Sequence, residues 1–278
     1  MKNILFLLLF LSLASCNSEI KKKAEPMHVL LIGNSLTYYN DMPQMLQEML
    51  EETDRNIIVE QATHPGFSLE AHLDNIILES SKDQISTRKK SGEEKTETEK
   101  KILEKDWDII VLQTGGVRIM VPEVRNQKVD LAIKQVKELS HPDTKFYLFQ
   151  TWVTQVEYPR EFCYPAFFIN PESDIDDKIC SAKLNNEKDY FNGLQKGYKE
   201  LSKNNNLALT QHGEIYRKLS LEHPEIDLLE DSMHPSRKGA FLSACILYRQ
   251  LTDKDPVNLE YTAGIDPVIG KSLKKAAS

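Results

Sequence analysis

The segment Val29-Leu30-Leu31-Ile32-Gly33-Asn34-Ser35-Leu36-Thr37 ends an unbroken apolar run in a glycine and then presents a serine. A run of that kind reads as a strand buried on both faces, the habit of parallel sheets. Open α/β sheets build their sites at the carboxyl ends of such strands, so Ser35 stands where the fold displays chemistry. Far along the chain, Asp231-Ser232-Met233-His234-Pro235 places an Asp and a His three positions apart in a loop. A nucleophilic serine needs a base, and the base needs an orienting carboxylate; the chain offers them in the order Ser35, Asp231, His234.

Outward from Ser35, strand and helix signals alternate. Asn40 or Asp41 is a candidate cap for a helix with Pro43 in its first turn and Met42, Met45, Leu46, Met49 and Leu50 on one face. Residues 56–63 read as the second strand, closing in His64-Pro65-Gly66-Phe67. Ser68 is a fair cap for a helix on which Leu69, His72, Leu73, Ile76 and Ile77 share a face. The stretch 81–106 is dominated by Lys and Glu and reads as a solvated helix extension or mobile loop without chemistry. Residues 107–112 form the third strand, opening into Gln113-Thr114-Gly115-Gly116. Residues 121–139 read as helix and 145–150 as the fourth strand, ending at Thr151-Trp152. From 154 to 185 the periodicity fails among prolines, acids and aromatics, which predicts an insertion folded back over the strand edge on the substrate side. Helices are expected over 190–201, 213–221 and 236–251, a short fifth strand over 207–210, and an irregular tail over 256–278 with room for one closing helix. This alternation implies a three-layer α/β/α, flavodoxin-like fold around a parallel five-stranded sheet. The loops bearing Ser35, Gly66 and Gln113 then gather on one edge, where the Asp231 to His234 loop can meet them.

The formal net charge of −7 makes nucleic acid a poor partner. Residues 4–13 form an apolar run too short to span a bilayer and suited to a secretory signal. Leu13-Ala14-Ser15-Cys16 resembles the lipobox of bacterial lipoproteins, which implies a signal peptide of residues 1–15, a lipid on Cys16 and a solvated tether over 16–26. The expected address is extracytoplasmic, anchored to a bacterial membrane through that lipid, with the outer membrane or cell surface favoured. Of the other cysteines, Cys163 and Cys180 lie in one polar, aromatic segment where a disulfide is left open, and Cys245 falls in an apolar helical pattern and reads as core.

Together these residues resemble the SGNH, or GDSL-like, hydrolase family. The resemblance runs from residue 28 to about 250, on short motifs in the right order at strand ends. Gly33-Asn34-Ser35-Leu36 corresponds to the block with the nucleophilic serine, and Asp231 with His234 to the Asp-x-x-His block. Gly66 stands where the family donates a backbone amide to the oxyanion. Gln113 stands where the family has an asparagine, a departure that leaves the third oxyanion donor to its side-chain amide or to the Gly115-Gly116 backbone. The resemblance implies a domain over 27–255 that cleaves an ester through Ser35, Asp231 and His234, with oxyanion donors Ser35, Gly66 and Gln113. Gly66-Phe67-Ser68-Leu69-Glu70 fails the G-x-S-x-G elbow at its last position, which argues against the α/β-hydrolase arrangement.

The expected substrate is a small-molecule or glycan ester, most plausibly an acetylated carbohydrate. Tyr38 and Trp152, beside strand-end loops, are candidates to stack on a sugar ring. The alternative from another class is a non-catalytic glycan-binding lipoprotein on the same sheet; a lipase or thioesterase is a third option. No cofactor or metal is expected, because His64, His72 and His212 lack ligand spacing and read as surface or packing histidines.

Overall fold

A computed structural model describes residues 25–53, 56–81 and 84–278. The apolar signal run, Cys16 and most of the tether lie outside them.

Five strands form one parallel sheet: β1 (Met27–Gly33), β2 (Ile57–Thr63), β5 (Ile109–Leu112), β6 (Lys145–Leu148) and β9 (Ala208–Leu209), in the order β2-β1-β5-β6-β9. Alternate side chains of β1 point to opposite faces and enter different cores. Val29 and Leu31 pack with Met45, Leu46 and Met49 of α2 (Met42–Thr53), whereas Leu30 and Ile32 pack with Ile133 and Val136 of a helix on the far face. A short turn of helix, α1 (Ser35–Tyr38), precedes α2, and α3 (Leu69–Asp74) follows β2. On the far face, α3, α4 (Glu97–Ile102), α5 (Gly116–Met120), α6 (Pro122–Val124), α7 (Asp130–Leu139) and α8 (Glu187–Asn205) contribute side chains to the second core. The first core takes α2, α9 (His212–Glu222), α10 (Arg237–Thr252) and α11 (Pro267–Ala276). The expected three layers are present, and the tail closes with α11, whose Leu273 is fully buried.

Three expectations change. Ile76 and Ile77 do not continue the helix of Leu69. Asn75 is extended at the end of α3, and the β-branched pair enters β3 (Asn75–Ser80), antiparallel to β4 (Ile85–Lys89). The Lys/Glu stretch is therefore neither a helix extension nor a free loop: it holds half of this hairpin and then α4. Thr96 and Glu99 cap α4 reciprocally, a T-x-x-E signal plain in the sequence. The segment from 154 to 185 is also more regular than expected, since β7 (Cys163–Pro165) pairs with β8 (Lys178–Cys180). Third, of the two candidate caps of α2, Asn40 lies inside the helical turn Tyr39–Asp41 that precedes it, and its side-chain amide nitrogen is engaged elsewhere, as described below.

Cys163 and Cys180 form a disulfide across β7 and β8, and Cys245 is fully buried. The bridge closes a loop with a sequence separation of 17. Closing a loop of this size stabilises a domain by about 3 kcal/mol in the chain-entropy picture. Cys163→Ser with Cys180→Ser should lower the urea midpoint accordingly, and a reductant should do the same to the wild type but nothing further to the variant.

Candidate active site

Gly33 ends β1 and Asn34 caps α1, so Ser35 occupies the first position of a helical turn. The Asn34 amide donates to Gln113 Oε1 at 2.8 Å, and Thr37 Oγ1 donates to the same oxygen at 3.1 Å. Asn34 Nδ2 donates to the Phe67 carbonyl at 2.8 Å, tying the serine turn to the Gly66 loop. From below, His72 Nε2 lies 2.9 Å from the Gly33 carbonyl and His72 Nδ1 lies 2.7 Å from Thr98 Oγ1 of α4. Burial, with a smaller contribution from His64, pushes the His72 pKa down to about 3 against the pull of the Gly33 carbonyl. His72 is thus neutral, donating to Gly33 through Nε2 and accepting the Thr98 hydroxyl proton through Nδ1. The supposedly inert Lys/Glu stretch in this way backs the serine turn.

Space around Gly33 is fully used. A Cβ there would lie 2.4 Å from Thr37 Oγ1 and 2.6 Å from Gln113 Oε1, two buried atoms fixed by their own hydrogen bond. Gly33→Ala should therefore cost about 1–3 kcal/mol as an overpacking defect, read as a lower denaturation midpoint. Because relief must displace Thr37 or Gln113, it should also disturb the serine turn.

The second segment reaches Ser35 from the loop that precedes α10, a helix packed in the same core as α2. His234 Nε2 is 3.0 Å from Ser35 Oγ, and His234 Nδ1 is 2.7 Å from Asp231 Oδ2. The Met233 and His234 amides each donate to Asp231 Oδ1 at 2.7 Å, which explains the three-residue spacing: one carboxylate folds the turn and holds the ring. Burial opposes the charge on Asp231, but the His234 ring and these two amides outweigh it and bring its pKa to about 2. An ionised carboxylate only accepts, so Nδ1 carries the proton and Nε2 is left to accept from Ser35. The loop is tied at three further points: Trp152 Nε1 donates to the Met233 carbonyl at 2.9 Å, the Gln155 amide to the Ser232 carbonyl at 2.7 Å, and the Glu230 amide to the His234 carbonyl at 3.0 Å.

The structure thus brings Ser35, Asp231 and His234 into one hydrogen-bonded series, with Gly66 and Gln113 on the adjoining loops. Gly66 is exposed at a φ of 66°, a conformation suited to glycine. Gln113 is 1% exposed; its oxygen is engaged as above, and its Nε2 has no protein partner. Tyr38 is half-buried beside Tyr39. Trp152 is not an open platform: it is 3% exposed and stacked on Tyr216, with ring centroids 4.2 Å apart, so it supports the His234 loop. A cavity of about 320 Å³ lies behind that loop, among Trp152, Tyr158, Arg217 and Leu229, and Ser35 and His234 are not among its lining residues. The aromatic insertion meets α5 and α3, the helices that follow β5 and β2: Arg118 of α5 donates to Glu70 of α3 and to the Tyr164 hydroxyl, with its guanidinium over the Tyr164 and Phe168 rings.

Two partners of this site were not legible from spacing alone: Tyr39, stacked on His234, and Asn40, hydrogen-bonded to the residues flanking the Asp231 to His234 segment. Among the described residues no helix is long and apolar enough to cross a membrane.

No protein-family model matches the chain, and no curated protein matches it by sequence. Solved structures do. A DUF4886 family protein from Bacteroides uniformis is 17% identical, with a TM-score of 0.66 over 91% of this chain and 93% of that one. A candidate SGNH hydrolase from Slackia heliotrinireducens is 18% identical, with a TM-score of 0.56 over 82% of this chain and 100% of its own. A mutant of Axe2, an acetyl-xylooligosaccharide esterase from Geobacillus Stearmophilus, is 13% identical, with a TM-score of 0.50 over 82% and 95%. At identities this low the likeness speaks for the fold alone: the chain has the SGNH/GDSL-like α/β/α fold of these structures.

Proposed function

We propose that this chain is a serine hydrolase that cleaves an ester, removing an acetyl or other short acyl group from a carbohydrate. The observation that carries the reading is the series Asp231 Oδ2, His234 Nδ1, His234 Nε2 and Ser35 Oγ, at 2.7 and 3.0 Å. Ser35 Oγ attacks the ester carbonyl carbon while its proton passes to His234 Nε2. Collapse of the tetrahedral intermediate breaks the bond to the alcohol oxygen, which leaves with the proton from His234. Water then attacks the acyl-Ser35 carbonyl, gives a proton to His234, and the carboxylic acid departs as Ser35 recovers that proton. The amides of Ser35 and Gly66 and the side chain of Gln113 are the donors assigned to the oxyanion. The acetylated carbohydrate is supported by the shared fold of an acetyl-xylooligosaccharide esterase and by half-buried Tyr38 near Ser35.

The test uses the whole chain with p-nitrophenyl acetate and a serine-directed fluorophosphonate. Turnover, with a covalent adduct on Ser35 that is lost in His234→Ala, supports the enzyme; a folded protein with neither leaves the glycan-binding alternative. Location is a separate part of the proposal. The lipobox-like segment and the disulfide support an extracytoplasmic protein anchored through Cys16. Cells fed a labelled fatty acid should mark the wild type and leave Cys16→Ala unmarked; equal labelling would sink the anchor.

A further inference from the structure

The turn between the serine and α2 is in an unusual conformation. Asn40 and Asp41 are consecutive non-glycine residues at positive φ, 52° and 62°. L-residues avoid that region, and such a turn persists where its surroundings fix it. Here Asn40 Nδ2 donates to Glu230 Oε2 at 2.9 Å and to the Pro235 carbonyl at 2.8 Å. Those two residues immediately bracket the segment from Asp231 to His234, so one side chain of the serine loop grips the base loop at both ends. The same turn lays the Tyr39 ring on the His234 imidazole, with centroids 4.1 Å apart and planes inclined by 11°.

We propose that Tyr39 and Asn40 are positioning residues for the base: Tyr39 covers one face of His234 and favours its imidazolium form, and Asn40 fixes the base loop against the serine loop. This rests on the esterase reading. His234 is neutral before attack and cationic once it holds the Ser35 proton. The negative face of an aromatic ring attracts that cation more than the neutral ring, so the stack works in the same direction as Asp231. Nδ1 and Nε2 are engaged at the ring edge by Asp231 and Ser35, which leaves the face for Tyr39. The other ionisable groups on the segments meeting here are Glu230 on the base loop, Tyr38 and Asp41 on the turn, and Arg237 and Lys238 opening α10. The 152–155 segment behind the loop brings none.

The test measures kcat and KM of the whole chain on p-nitrophenyl acetate across pH, and follows the His234 ring proton by NMR titration. Tyr39→Leu keeps apolar cover without a quadrupole. It should lower kcat about three- to tenfold with little change in KM, move the His234 titration to lower pH, and carry the acid limb of kcat/KM with it. Tyr39→Phe should recover both toward wild type, and Tyr39→Met replaces the leucine variant should that one not fold. Asn40→Gly accepts the left-handed turn but loses the grip, and should lower kcat about tenfold at a temperature well below its melting midpoint, where it is fully folded. A leucine variant with wild-type His234 titration, or a phenylalanine variant as impaired as it, overturns the role of Tyr39. Wild-type kcat in Asn40→Gly overturns that of Asn40. If the wild type neither turns over ester nor takes a phosphonate on Ser35, the esterase reading fails, while the NMR titration still decides the stack.

Discussion

Ser35→Ala or His234→Ala should each lower kcat by about 10⁶, and the double variant should be scarcely worse than either single one. The reason is geometric. Ser35 Oγ has its 3.0 Å contact with His234 Nε2, and the base loop is tied to the serine loop around it. Without the base, the hydroxyl is a weak nucleophile; without the hydroxyl, the base has nothing to activate. Asp231→Asn should cost about 10⁴, since an amide nitrogen facing Nδ1 would favour the wrong tautomer. The carboxyl of Asp231, brought to about 2 by the ring and two amides, stays ionised throughout the working pH range. Loss of rate through protonation of Asp231 is therefore expected only as the pH falls toward 2. Steady-state rates on p-nitrophenyl acetate, with melting midpoints to confirm folding, check the whole set. A Ser35→Ala enzyme that kept a hundredth of the rate would remove Ser35 from the chemistry.

The sheet and the hydrogen-bonded series of Ser35, His234 and Asp231 were legible because each rests on a local signal. Val29 to Ile32, ended by Gly33, reads as a strand buried on both faces, and Asp231 and His234 at a three-residue spacing share one turn, closed by backbone N–H hydrogen bonds to a single carboxylate. Helix bounds held where the pattern was long, as in α10, expected over 236–251 and observed as Arg237–Thr252. The hairpin of β3 and β4 was missed because Ile76 and Ile77 fit the helical face of Leu69 and Leu73, and because its other strand is masked by lysines. The support that α4 gives Ser35 runs through Thr98, His72 and Gly33, three residues remote in sequence and joined only by folding. The capping box at Thr96 was visible, and charge density hid its meaning. Tyr39 and Asn40 escaped for another reason: their placement depends on two positive φ angles that Asn40 and Asp41 adopt under tertiary constraint. Trp152 was read from its place beside a loop, whereas its packing on Tyr216 and its bond to Met233 assign it to the scaffold.

Gln113→Ala should lower kcat by about 10² to 10³ with a smaller effect on KM, the signature of a lost oxyanion donor. The argument begins with the half of the side chain already engaged. Asn34 N–H and Thr37 O–H both point at Oε1, so the reverse amide orientation would set the Asn34 donor against an NH₂ donor. Nε2 is therefore assigned by the network, and it is the half that is buried and unpaired. An unsatisfied buried donor costs roughly 1–3 kcal/mol, a cost that a developing oxyanion would relieve. Alanine removes both roles and leaves the buried Asn34 amide and Thr37 hydroxyl without their acceptor, so a fall in stability of about 1–3 kcal/mol should accompany the fall in kcat. Gln113→Asn shortens the chain by one methylene and loses the reach to the Asn34 amide, the serine turn or the oxyanion, whichever it abandons. It should recover part of one function and not both. The rival donors are the backbone amides at Gly115 and Gly116, which open α5 on the same loop. A folded Gln113→Ala enzyme with kcat within about threefold of wild type would transfer the oxyanion to those amides, leaving Gln113 the single task of holding Asn34 and Thr37 beneath the nucleophile.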